Sequence, residues 1–122
     1  MILVDTNILS TFARVDELEL LFVLFPGSPF GVTPAVLEEV DQAVAQGCDW
    51  RRQVPALRAG GRLVLAEPTA AERLVLPALP SSLGAGEREA IAVCRARKCA
   101  FLTNDKRARN FCREVGIPVF DL

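Results

Sequence analysis

Five apolar runs, each of only three or four residues, punctuate this chain, with helical segments between them. They are Ile2-Leu3-Val4, Phe30-Gly31-Val32-Thr33, Leu63-Val64-Leu65, Ala100-Phe101-Leu102-Thr103 and Ile117-Pro118-Val119-Phe120. Short continuous apolar runs read as strands buried on both faces. Strands of that kind alternating with helices predict an α/β fold, a short central parallel sheet covered by helices on both sides. The helices are expected at 7–14, 16–25, 34–46, 49–59, 69–79, 87–98 and 105–115. Asp16 and Thr33 are expected as N-caps, Pro34 as a first helical residue, and Thr69 with Glu72 as a capping box. Gly47, Gly60-Gly61 and Gly116 are natural stops.

The chain has 122 residues, 51% of them hydrophobic and 24% charged, which suits one globular domain over 1–122 rather than a disordered chain. Mean hydropathy is +0.29, consistent with a sheet buried on both faces or a surface that a partner covers. Apolar residues around Leu9, Phe12, Leu18 and Leu21-Phe22 allow two readings, a groove for a partner's helix or plain core packing. No apolar run spans a bilayer, and the start lacks the basic region of a signal peptide, so no membrane and a cytoplasmic location are expected. In that compartment Cys48, Cys94, Cys99 and Cys112 stay reduced. There is no histidine and no C-x-x-C pair, which argues against zinc, and Cys94 and Cys112 read as small core residues. Fourteen Lys and Arg against fifteen Asp and Glu exclude a general nucleic-acid coat. Even so, Arg88, Arg95, Arg97, Lys98, Lys106, Arg107, Arg109 and Arg113 cluster late and suggest a local phosphate-facing rim.

Four acids stand out against this frame. Asp5 and Asp105 fall just beyond expected strands, where working residues lie in open parallel sheets. Helical phase picks out the other two. In the helix after Pro34, Glu39 flanks the stripe of Val36, Val40, Ala43 and Val44, whereas Glu38 lies opposite it. Glu87 shares a face with Ala90, Ile91 and Cys94, whereas Glu89 is expected to point away. Each acid taken singly reads equally well as a helix cap or dipole partner. Together they make a set of hard oxygen donors, able to share one divalent cation at one sheet edge. Mg²⁺ or Mn²⁺ held in this way supports water attack on a phosphodiester without a histidine. Asn7, Thr103, Asn104 and Glu89 are candidates to orient acids or waters, with turn capping the alternative for the amides and hydroxyl. Lys106 and Arg107 are candidates to grip substrate phosphates, with a merely solvated role the alternative.

The ordered set resembles a PIN domain. Val4-Asp5-Thr6-Asn7-Ile8-Leu9 is similar to that family's opening strand and first acid, and Thr33-Pro34-Ala35-Val36-Leu37-Glu38-Glu39-Val40 to the segment with its second. Leu83-Gly84-Ala85-Gly86-Glu87-Arg88-Glu89-Ala90-Ile91 is similar to a variant third block with Glu in place of the commoner Asp. Leu102-Thr103-Asn104-Asp105 is similar to the Thr-x-Asp block with the fourth acid. The resemblance implies a three-layer α/β/α sandwich and a Mg²⁺- or Mn²⁺-dependent endoribonuclease acting on single-stranded RNA. It implies Asp5, Glu39, Glu87 and Asp105 as catalytic metal ligands, and a VapC-type toxin role with a cognate antitoxin as partner. A homodimer is expected. Two rivals remain, a receiver-like phospho-accepting domain and a catalytically inactive RNA- or protein-binding module.

Overall fold

Neighbouring side chains of the first strand enter two different cores, which fixes the layering of the molecule. Ile2 and Val4 join one buried cluster and Leu3 the other. The protein, here as a computed structural model, is described over residues 1–15, 17–47, 57 and 59–122. In chain order the elements are β1 (Ile2–Val4), α1 (Thr6–Arg14), α2 (Leu18–Leu24), β2 (Phe30–Val32), α3 (Pro34–Ala45) and β3 (Leu63–Leu65). There follow α4 (Ala70–Arg73), a 3₁₀ turn (Leu76–Ala78), α5 (Ala85–Arg97), β4 (Ala100–Leu102), α6 (Lys106–Glu114) and β5 (Val119–Phe120).

The five strands form one parallel sheet in the order β3-β2-β1-β4-β5. The first core holds Ile2, Val4, Phe30, Val32 and Leu102 against Ile8 and Leu9 of α1, Leu18 and Leu21 of α2, and Val36 and Val40 of α3. The second holds Leu3 and Phe101 against Ala90, Ile91 and Cys94 of α5 and Ala108 and Cys112 of α6. The fold is therefore the expected three-layer α/β/α sandwich. Leu9, Leu18 and Leu21 are core residues, with Phe12 and Phe22 packed beside them, so core packing is the right reading for that group.

On the second face, the register sets Gly31 opposite Leu3. A Cβ on Gly31 would sit 2.8 Å from Leu3 Cδ2 and 2.8 Å from Met1 Sδ, so this strand position has room only for hydrogen.

Several expected elements differ in detail. The helix expected at 69–79 breaks into α4 and the 3₁₀ turn because Pro77 has no N–H to give and restricts the residue before it. Thr69 and Glu72 do form the capping box. The last strand shortens to Val119–Phe120, since Pro118 cannot donate to the sheet, although its carbonyl accepts from Phe101 N–H. The second helix starts at Leu18, and Asp16, its expected cap, lies outside the described residues, as do Cys48 and nearly all of the helix expected at 49–59. Thr33 does not cap α3: its hydroxyl is buried without a partner. Cys94 and Cys112 are buried, and burial pushes the Cys112 thiol up to about 11, consistent with inert core residues.

From β1 the chain steps outward to β2 and β3, then crosses to the other side of β1 to lay down β4. The switch point lies between the carboxyl ends of β1 and β4, where open parallel sheets place their ligands.

Candidate metal centre

Register alone brings the first pair of site residues together. Val4 pairs with Leu102, so the chain emerges from both strands side by side, and Asp5 N–H donates to Leu102 O at 3.1 Å. Asp5 caps α1, with Oδ1 accepting from Thr6 N–H at 2.8 Å. Its Oδ2 accepts from the Thr103 hydroxyl at 2.8 Å, and that hydroxyl accepts in turn from Asp105 N–H at 3.1 Å. Asp105 caps α6 through Oδ1, which accepts from Ala108 N–H at 3.0 Å, and its Oδ2 lies 4.0 Å from the exposed Arg107 guanidinium.

Two helices bring the glutamates. Glu39 of α3 accepts from the Thr6 hydroxyl at 2.7 Å and from Gly86 N–H at 3.3 Å. Glu87 reaches back to cap its own helix, with Oε1 accepting from Gly84 N–H at 2.9 Å. Its other oxygen, Oε2, is buried and has no hydrogen-bond partner.

The acids feel one another. Asp5 is 3% exposed, and burial pushes its carboxyl above the ordinary range. Hydrogen bonds from Thr103 and Thr6 oppose that, while Glu39 and Asp105 add repulsion. Glu87 is pushed upward too, first by burial, with Asp5 and Asp105 adding to it and Gly84 and Arg107 opposing. Asp5, Glu39, Glu87 and Asp105 thus share one neighbourhood at the switch point. Their hydrogen bonds hold them individually, and among the described residues no three of them converge on one point as a finished ligand cluster.

The remaining candidates divide. Thr103 is fully buried between two of the acids. Glu89 does not point away: it is 9% exposed, and its Oε1 accepts from Ala35 N–H, at the first turn of α3, at 3.0 Å. α3 packs on that flank of α5, which helical periodicity alone marks as solvent. Asn104 turns elsewhere, its Oδ1 accepting from Leu122 N–H. Asn7 is exposed, and its carbonyl takes the Ser10 and Thr11 hydroxyls. Glu38 and Lys106 are exposed. In the expected basic rim, Arg97 is committed to Glu72 by a two-point bond and Arg109 pairs with Asp121, so neither is free for phosphate. The sequence reading missed Thr6 and Gly86, the two donors that hold Glu39. Both sit inside the quoted motifs, but their partner comes from α3, a contact that no local spacing reveals.

The sequence model of the PIN domain matches residues 1–120. The chain belongs to the PIN-domain family. No curated protein matches it in sequence. Among solved structures, this PIN domain is similar to VapBC2 from Rickettsia felis, determined bound to a DNA fragment from their promoter. TM-score is 0.72 and identity 16%, over 99% of this chain and 98% of that one. It is also similar to a PilT N-terminus domain protein from the hyperthermophilic archaeon Sulfolobus solfataricus, with TM-score 0.63 and identity 15%, over 98% and 85% of the two chains. FitAcB from Neisseria gonorrhoeae matches with TM-score 0.62 and identity 20%, over 98% and 96%. A receiver-like sheet would run 2-1-3-4-5, so the order found for this PIN domain corrects that alternative. No helix among the described residues is long and apolar enough to cross a membrane.

Proposed function

We propose that this PIN domain is a Mg²⁺- or Mn²⁺-dependent endoribonuclease that hydrolyses phosphodiester bonds of single-stranded RNA. The observation that carries the reading is Glu87 Oε2, a buried carboxylate oxygen without a hydrogen-bond partner, repelled by Asp5 and Asp105. A buried charge in that position costs stability unless a positive group meets it. The donor set, all carboxylate oxygen, fits a hard divalent cation, and Asp5, Glu39, Glu87 and Asp105 would hold it. When bound, such a cation supplies charge that offsets the phosphodiester oxygens and makes water acidic enough to attack.

The chain's own groups do the rest. Thr103 and Thr6 fix the Asp5 carboxylate from two sides, and Thr6 with Gly86 fixes Glu39. Arg107, exposed beside Asp105, would meet a flanking phosphate. The likeness to VapBC2 and FitAcB supports a toxin held in check by an antitoxin. A cytoplasmic homodimer is part of the same proposal. Purified protein should cleave single-stranded RNA with Mg²⁺ or Mn²⁺ and stop when EDTA is added. Undiminished cleavage in EDTA would sink the metal reading, and binding without any cleavage would favour the inactive RNA-binding module.

A further inference from the structure

We infer that Glu89 is a positioning residue: by holding the first turn of α3 against α5, it fixes the distance between Glu39 and Glu87. The inference rests on the metal reading above and adds a role for an acid outside the proposed ligand set.

Two of those acids sit on different helices, Glu39 on α3 and Glu87 on α5. Their separation depends on how these helices are seated. Two hydrogen bonds cross the seam. Ala35 N–H donates to Glu89 Oε1 at 3.0 Å, and Gly86 N–H donates to Glu39 Oε1 at 3.3 Å. They run in opposite senses, so each helix lends a backbone donor to a side chain of the other. Ala35 lies in the first turn of α3, where backbone N–H groups lack partners within the helix. Thr33, the residue expected to meet that need, instead leaves its hydroxyl buried and unpartnered. Glu89 therefore acts as a cap donated from another helix.

The seam is also close. A Cβ on Gly86 would stand 3.0 Å from Glu39 Oε1 and 3.1 Å from Val36 Cγ2. Glycine at 86 allows α5 to approach α3, and Glu89, one turn further along α5, stops the two from sliding. A carboxylate that only capped a helix would serve as well from α3 itself. A buried one reaching from α5, two residues beyond Glu87, couples that cap to the site.

The test uses Glu89→Gln, Glu89→Ala and Gly86→Ala in the full chain, with three readouts. They are Mn²⁺ affinity by calorimetry, amide exchange at Ala35, and the Glu39 carboxyl ¹³C shift without metal. Glutamine keeps an acceptor oxygen for Ala35, so Glu89→Gln should stay within about threefold of wild type in Mn²⁺ affinity. Glu89→Ala should lose about tenfold, the usual cost of removing a group that orients a ligand, with faster exchange at Ala35 and a moved Glu39 resonance. Gly86→Ala should move the same resonance by a different route. Equal loss of Mn²⁺ affinity in Glu89→Gln and Glu89→Ala would overturn the inference and make Glu89 a ligand. An unmoved Glu39 resonance in Glu89→Ala would also overturn it, with Gly86→Ala, which touches Glu39 directly, showing that the resonance can report such a shift. If wild type takes up no Mn²⁺, the metal reading falls, and the Glu39 resonance still decides the coupling.

Discussion

Asp5 carries two loads, and its substitution should separate them. Asparagine caps a helix as well as aspartate does, so Asp5→Asn should keep α1 in place. On the proposed reading RNA cleavage should still fall by about 10²-fold or more, because a charge that would hold the metal is gone. Steady-state cleavage beside far-UV circular dichroism checks both halves. The same change should alter pH dependence without metal. Burial raises the Asp5 and Glu87 carboxyls above their unfolded values, so the folded state holds those protons more tightly. Their charge then costs stability as pH climbs through the folded values, and the metal-free protein should lose stability on that climb. Urea melts at about pH 4 and about pH 7.5 should show a smaller loss in Asp5→Asn than in wild type. For the neighbouring acids, Glu87→Gln should reduce cleavage far more than Glu89→Gln, and Glu39→Gln more than Glu38→Gln. Helical phase was enough to bring Glu39 and Glu87 near Asp5, because periodicity shows which face a residue lies on. It failed for Glu89, because periodicity does not show what packs against a flank.

At the level of elements, the strands were legible from their apolar runs, and the core followed from alternation within them. The edges of elements were less so, because Pro77 and Pro118 act through missing donors while the apolar pattern runs on past them. Gly31 shows how far register constrains a strand. Its missing side chain makes room for Leu3, which is fully buried and has nowhere to move. Gly31→Ala should therefore cost about 1–3 kcal/mol, read from chemical denaturation, as overpacking a filled core does. The joint between α4 and α5 depends on charge instead. Arg97 grips both oxygens of the buried Glu72, and also the Glu67 carbonyl. Hydrogen bonding to Arg97 is the main reason that Glu72 holds its proton less tightly than the usual 4.5. Its contribution is present above the unfolded value and is lost as pH falls through the folded one. Glu72→Gln should therefore destabilise the protein at neutral pH, and the gap from wild type should close on acidification below about 4.

Across the whole molecule, the four acids are a liability that the fold accepts at its switch point. A divalent cation should relieve it, so Mg²⁺ should raise the melting temperature, and more so near neutral pH than in acid, where protons on the raised Asp5 and Glu87 carboxyls compete with the cation. Differential scanning calorimetry at two pH values reads this directly, and the absence of any shift at both would count against the centre.

The bond from Thr103 to Asp5 joins residues 98 apart in the chain. That span has a consequence for synthesis. Asp5, Thr6 and Glu39 all leave the ribosome well before β4 does. β1 must nevertheless wait for β4, and until then one edge of the central strand lies open. Non-local pairing of this kind forms late. A nascent chain that has displayed three of the four acids still lacks the strand that orients the first. On the proposed reading, a chain without β4 would not yet cleave RNA.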